Sequence, residues 1–237
     1  MPNCAHMRRF VIGDIHGAHR ALIQCFDRSG FDRNGDLLIC MGDLADGWPG
    51  VIEVFDELLT INNLVVILGN HDQWLLNWFN TMEAPDIWLI QGGSSTINAF
   101  RGRMREEHKD LLRHARLYYK LDNLLFVHGG FDTGIPVELQ EWNVFLWDRS
   151  LVKKALTFRN DGHNESLTKY DMVYVGHTPT IKFGETTPIL SCGICLTDTG
   201  AGWPGGVLTM IDIDSAEIYQ SEPVEKLYSG ANSRSFL

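Results

Sequence analysis

The chain has 237 residues, 44% hydrophobic and 21% charged, an ordinary globular composition with room for one sizeable domain. Its formal net charge of −10 argues against a broad grip on nucleic acid or on an anionic membrane, both of which need a clustered cationic face. No run approaches the roughly 20 apolar residues that cross a bilayer, and the start, MPNCAHMRRF, lacks the apolar segment of a signal peptide. Five scattered cysteines (Cys4, Cys25, Cys40, Cys192, Cys195) do not form a disulfide framework, so a soluble, cytoplasmic protein is expected.

In chain order, apolar runs of strand length end in glycine-containing polar turns: RFVI before GDIHG, DLLICM before GDLAD, LVVIL before GNHD, LLFV before HGG and MVYV before GHT. Helical patterns over Ala18 to Ser29 and Pro49 to Ile61 separate the first three runs. The second carries Val51, Ile52, Phe55, Leu58 and Leu59 on one face, with Pro49 suited to a first turn. Strand, helix, strand, helix, strand predicts an α/β sheet with right-handed crossovers.

Residues 73 to 116 read as helical and aromatic (Trp74, Trp78, Phe79, Trp88), interrupted by QGGSST at 91 to 96. They are expected to cover the sheet's edge or roof the site. From 172 onward, VLTMIDID and EIYQ read as strands of a second sheet, with DSAE at 214 to 217 as a hairpin turn. A single domain over 1 to 220 is expected, followed by a loosely ordered polar tail over 221 to 237.

In open α/β sheets ligands bind beyond the carboxyl ends of the strands, so the five polar turns can converge. Pooled, they supply Asp14, His16, Asp43, Asn70, His71, His128 and His177, a mixture of carboxylate, carboxamide and imidazole that suits divalent first-row metals. A closed structural zinc site would be tetrahedral and often thiolate-rich, whereas this donor set suggests two metals with open positions. Two metals roughly 3.5–4 Å apart would bridge a water, lower its pKa toward about 7 and clamp the oxygens of an in-line displacement at phosphorus. Cys192 and Cys195, in CGIC, have no second such pair and read as core residues.

In this order and at these spacings, GDIHG, GDLAD, GNHD, HGG and GHT resemble the metallophosphoesterases of the phosphoprotein phosphatase family, over residues 10 to about 213. The resemblance implies the calcineurin-like fold, two mixed β-sheets in a sandwich flanked by helices in four layers. It implies Asp14 and His16 as ligands of one metal, Asp43 as the bridging carboxylate, and Asn70, His128 and His177 as ligands of the other. The metals would be Mn²⁺, with Fe, Zn or Co also acceptable to these donors. His71 falls where the family places the acid that protonates the leaving oxygen, and Asp46 where a carboxylate orients that imidazole. FLWDR at 145 to 149 resembles the segment that carries a phosphate-binding arginine in small bacterial and phage members, which makes Arg149 a catalytic and substrate-binding candidate beside His71 and Asp46.

One departure stands out. The family's second motif usually reads GDxVDRG with a phosphate-binding arginine, but here Gly47 and Trp48 follow Asp46. Trp48 is then the aromatic expected to touch substrate, and Arg101, Arg103 or Arg105 could replace the missing cation. The main expectation is a metal-dependent phosphomonoesterase of the serine/threonine phosphoprotein phosphatase kind, acting on a phosphorylated protein or a small phosphoester by direct attack of a bridging hydroxide. The alternatives are a dinucleoside polyphosphate hydrolase, nucleotidase or phosphodiesterase on the same dinuclear site, and a non-catalytic metal-binding scaffold.

Overall fold

The computed structural model describes residues 7–101 and 105–230. Its first sheet begins with β1 (Arg9–Ile12), β2 (Leu37–Cys40) and β3 (Asn63–Val66), which pair in parallel. Their crossovers are α1 (His19–Ser29) and α2 (Val51–Leu58), close to the expected spans. The strands alternate between two apolar environments, as period-2 geometry requires. Phe10, Ile12, Leu38 and Cys40 face the helices, while Val11, Leu37 and Ile39 face the other way.

Five helical segments follow β3: α3 (Asn70–Thr81), α4 (Asp86–Trp88), a π-turn over Leu89–Gly93, α5 (Ser94–Phe100) and α6 (Glu106–Arg113). The QGG of QGGSST lies in the π-turn, where Gly92 takes φ 110°, and SST opens α5. Trp78, Phe79, Trp88 and Phe100 pack from these helices into the core on the outer face of the first sheet.

The second sheet contains β4 (Tyr118–Leu121), β5 (Leu124–Val127), β6 (Met172–Val175), β7 (Ile189–Ser191) and β8 (Ile194–Leu196), in the order β4-β5-β6-β8-β7. Its outer face packs on α7 (Trp142–Trp147) and α8 (Ser150–Asn160) through Phe145, Leu146, Leu151, Val152 and Ala155. Its inner face meets the first sheet in an apolar layer of Val11, Ile39, Met41, Phe126, Tyr174 and Cys195. Phe126 stacks on Tyr174 there at 4.9 Å. The result is helix, sheet, sheet, helix, the expected four layers.

Two expectations need correction. VLTMIDID and EIYQ do form strands, β9 (Thr209–Asp212) and β10 (Ile218–Gln220), joined across the DSAE turn. They extend the first sheet instead of building the second, because β9 pairs antiparallel with β1 and gives the order β10-β9-β1-β2-β3. Nor is the segment after 220 loose as far as residue 230. The short helix α9 (Val224–Leu227) buries Val224 completely, and Tyr228 stacks on Trp48 at 5.3 Å, so this stretch is part of the core. CGIC marks a tight hairpin between β7 and β8: Cys192 (φ 49°) and Gly193 (φ 76°) make the two-residue turn, the conformation that type I′ hairpins demand.

A candidate dinuclear metal centre

Each polar turn leaves the carboxyl end of a strand. Asp14 and His16 follow β1, Asp43 and Asp46 follow β2, Asn70 and His71 open α3 after β3, His128 follows β5 and His177 follows β6. The two sheets meet so that these ends point to one place. Four of these residues hold left-handed backbone, His16 (φ 50°), Asp43 (φ 49°), Asp46 (φ 69°) and His177 (φ 61°). For residues other than glycine that conformation is uncommon and concentrates at functional sites. Gly69 permits a close approach: a Cβ there would meet Asp43 Oδ1 at 2.2 Å.

All the expected metal ligands are buried, and two groups form around a shared carboxylate. Donor atoms of Asp14, His16 and Asp43 lie within 4.8 Å of one another, as do those of Asp43, His128 and His177. Asp43 Oδ1 lies 3.4 Å from His128 Nε2, and its Oδ2 lies 3.7 Å from His16 Nε2. Both imidazoles donate Nδ1–H to a backbone carbonyl, His16 to Ala45 at 3.1 Å and His128 to Met41 at 2.7 Å. Those bonds fix the tautomer and turn the Nε2 lone pairs inward, as metal-binding histidines require.

Buried polar atoms are nearly always hydrogen-bonded, yet Asp14 Oδ1 and His177 Nε2 have no partner among the described residues. His128 Nε2 and Asn70 Oδ1 face each other at 3.1 Å. Burial pushes the His128 imidazole down to about 4, so it is neutral at pH 7 and two lone pairs confront one another. A cation accepting both resolves the conflict. Burial, reinforced by the charges of Asp198 and Asp43, raises the Asp14 carboxyl well above the ordinary range, and burial lowers His177 well below its own. Concentrated buried carboxylates beside neutral imidazoles form a donor set that divalent cations fit.

The expected dyad is also brought together. His71 Nδ1–H donates to Asp46 Oδ2 at 2.6 Å, and the His71 backbone N–H donates to Asp43 Oδ1 at 3.0 Å. Two further groups reach the same carboxylate. Trp88 Nε1–H donates to Asp46 Oδ2 and Thr96 Oγ1–H to Asp46 Oδ1, both at 2.6 Å. Trp88 was expected only in the core or roof, and nothing local in the sequence points to its indole N–H. Asp72 was missed as well: its fully buried carboxylate accepts backbone N–H from Leu44 (2.9 Å), Ala45 (3.4 Å) and Gly69 (3.1 Å), tying the second and third turns together. Burial and the Asp43 charge push Asp72 up to about 7.

A cavity of about 470 Å³ opens over these groups. Arg149 stands at its wall and makes no ion pair with a described carboxylate. Lys182, Trp147 and Trp203 also line it, none of them anticipated. Trp147, 38% exposed, packs edge-on against Trp74 at 5.1 Å, and the Lys182 ammonium lies 5.2 Å over the Trp203 ring. Asp198, just beyond β8, is a further lining carboxylate.

The expectation for Trp48 is overturned. Its side chain is fully buried, donates Nε1–H to Ala201 O at 2.7 Å and is covered by Tyr228, so it cannot touch a ligand in this cavity. Of the arginines expected to replace the missing cation, Arg101 and Arg105 do not line the cavity either. Arg101 bonds Asn98, Arg105 pairs with Asp56 and bonds His108, and Arg103 lies outside the described residues.

A family model for calcineurin-like phosphoesterases matches residues 7–181. The chain belongs to the calcineurin-like phosphoesterase family. Members of this family use a dinuclear divalent metal site. Among curated relatives, a symmetrical bis(5'-nucleosyl)-tetraphosphatase of Nitrosomonas europaea is 30% identical over 125 residues, 52% of this chain and 45% of that protein. The enzyme of that name from Proteus mirabilis is 39% identical over 74 residues, 31% of this chain and 27% of the relative. The matched stretch thus spans less than half the length of either relative. The fold of a provisionally assigned diadenosine tetraphosphatase superposes with TM-score 0.70 at 18% identity, covering 97% of both chains. That of a protein serine/threonine phosphatase from Saccharomyces cerevisiae gives 0.63 at 14% identity, covering 99% of this chain and 85% of the other. At such identities the likeness concerns the fold, two five-stranded mixed sheets flanked by helices.

Proposed function

We propose that this metal-dependent phosphoesterase hydrolyses dinucleoside polyphosphates of the diadenosine tetraphosphate type, in preference to the phosphoprotein expected first. The observation that carries the reading is the name shared by curated relatives matched at 25–39% identity, each a symmetrical bis(5'-nucleosyl)-tetraphosphatase. The cavity is in keeping with it: Arg149 and Lys182 face a polyanion, and Trp147 and Trp203 offer ring surface to a base.

Asp14, His16 and Asp43 would hold one ion, and Asp43, Asn70, His128 and His177 the second; Mn²⁺ is the ion we propose, as these donors accept it. When bound, such ions supply Lewis acidity at phosphorus and a water deprotonated near neutral pH. His71 carries the proton for the leaving oxygen on Nε2. Asp46 accepts Nδ1–H and thereby favours the imidazolium, acting as a positioning residue. Arg149 provides a guanidinium for the non-bridging phosphate oxygens. The four described cysteines, all free and buried, accord with a reducing cytoplasm; among described residues no helix is long and apolar enough to cross a membrane.

The test is a substrate panel with Mn²⁺, comparing diadenosine tetraphosphate with phosphoserine peptides and mononucleotides, with products resolved by chromatography. The expected result is preferred turnover of the dinucleotide with ADP as the nucleotide product. Faster turnover of phosphopeptide would overturn the assignment.

A further inference from the structure

A second groove, of about 850 Å³, adjoins the catalytic cavity and shares Arg149 and Lys182 with it. It runs between one face of α8 and the turn over Thr180–Phe183. The α8 residues that line it, from Arg149 at the N-cap to Asn160, recur at helical spacing, so at 1.5 Å per residue the groove follows the helix for about 16 Å.

Its chemistry differs from that of the protein as a whole. Lys153 and Arg159 join Arg149 and Lys182 along the walls, while Glu185 is the acidic residue among the lining groups. On a chain of net charge −10 this is a local concentration of positive charge. Lys153 and Arg159 make no ion pair with a described residue, and Phe183 at the far wall is 48% exposed. Thr178, directly after His177, lines the same groove; its Oγ1 is buried and has no hydrogen-bond partner among the described residues. Buried hydroxyls are nearly always hydrogen-bonded, so this one is open to a partner from outside the described residues.

We infer that this groove holds one nucleotide half of the substrate, with its phosphates along Arg149, Lys182 and Thr178 and its nucleoside toward Lys153, Arg159 and Phe183. This rests on the dinucleoside polyphosphate reading. Hydrolysis forms one P–O bond from water and breaks the bond to the bridging oxygen, which takes its proton from His71. The two halves then leave as nucleoside diphosphates, each of which needs a cationic cradle beyond the metal centre. Base stacking on an aromatic ring and exposed cation contacts each contribute modestly, so beyond Arg149 the groove is an affinity device rather than part of the bond-breaking step.

The experiment uses the Mn²⁺-loaded enzyme with p-nitrophenyl phosphate as reporter, and ADP and inorganic phosphate as inhibitors. Wild-type enzyme is expected to bind ADP at least about tenfold more tightly than phosphate. Lys153→Ala/Arg159→Ala should weaken ADP inhibition about tenfold, with reporter turnover and phosphate inhibition within twofold of wild type, which also shows the variant is folded. Equal inhibition by ADP and phosphate, or a double variant that leaves ADP inhibition unchanged, would overturn the groove assignment even if diadenosine tetraphosphate is cleaved. Failure to cleave diadenosine tetraphosphate while the reporter is turned over would instead overturn the functional reading, and the groove's occupant with it.

Discussion

Trp88→Phe tests the least local part of the site. It removes one donor from the Asp46 carboxylate, a 2.6 Å bond, and leaves His71 and Thr96 in place. A hydrogen bond to a charged group contributes about 1.5–3 kcal/mol, and in a chain of this size each kcal/mol shifts Tm by about 2–4 °C. A loss of about 3–12 °C is therefore expected. The catalytic signature should be separable from that loss. With Asp46 less firmly ionised and held, His71 carries its proton less fully and is less well oriented, and acid catalysis contributes about 10²–10⁴ in rate.

Phenyl phosphate, whose leaving oxygen needs the proton, should lose about tenfold or more in kcat, while p-nitrophenyl phosphate, with a better leaving group, changes little and KM for both stays near wild type. His71→Asn should show the same leaving-group dependence more strongly while two metals still bind, as read by metal analysis of the purified protein. Equal losses on both substrates in Trp88→Phe would refute the link from indole to carboxylate to imidazole and reduce Trp88 to a packing residue.

Exhaustive chelation should abolish hydrolysis. Mn²⁺ at about 100 times its Kd should restore it and add about 2.7 kcal/mol of stability, or about 5–11 °C in Tm by calorimetry; activity indifferent to chelation would sink the dinuclear reading. In the metal-free protein Asp72 titrates near 7, against about 3.9 when unfolded, so its protonated form favours the fold. Its contribution is complete below about pH 3.9 and lost as pH rises through about 7. The Tm advantage of metal-free wild type over Asp72→Asn should accordingly shrink from pH 5 to 8, and a growing advantage would contradict the burial argument. Gly47→Ala forces a side chain onto φ 107° and should cost about 1–2 kcal/mol, or about 2–8 °C in Tm; no change would show that the turn can relax.

What was legible in the sequence had local causes. Asp14, His16, Asp43, Asn70, His71, His128 and His177 each sit one turn beyond an apolar run, and α/β topology brings such turns together. The His71–Asp46 contact, by contrast, was expected only from the resemblance to the phosphoprotein phosphatase family. The misses share the opposite property. The Trp88 indole reaches Asp46 across 42 residues, and Tyr228 covers Trp48 from 180 positions downstream, so neither burial nor partner follows from periodicity. The placement of β9 against β1 likewise depends on a pairing between the two ends of the domain, where alternation specifies a strand but not its neighbour.

The departure at Gly47 and Trp48 makes sense only in this non-local frame. At φ 107° position 47 suits glycine, and the π-turn of the helical segment closes against it: a Cβ on Gly92 would meet Gly47 N at 3.0 Å. An arginine at 47 would have to adopt that backbone beside this turn, while Trp48 next to it is committed to the core through Ala201 and Tyr228. The segment that holds Asp46 through Trp88 and Thr96 thus also packs directly against position 47. The described cations lining the cavity, Arg149 and Lys182, stand where it joins the α8 groove. If the dinucleoside polyphosphate reading holds, Arg149 and Lys182 would then favour a ligand whose negative charge extends along that groove over one confined to a single phosphate.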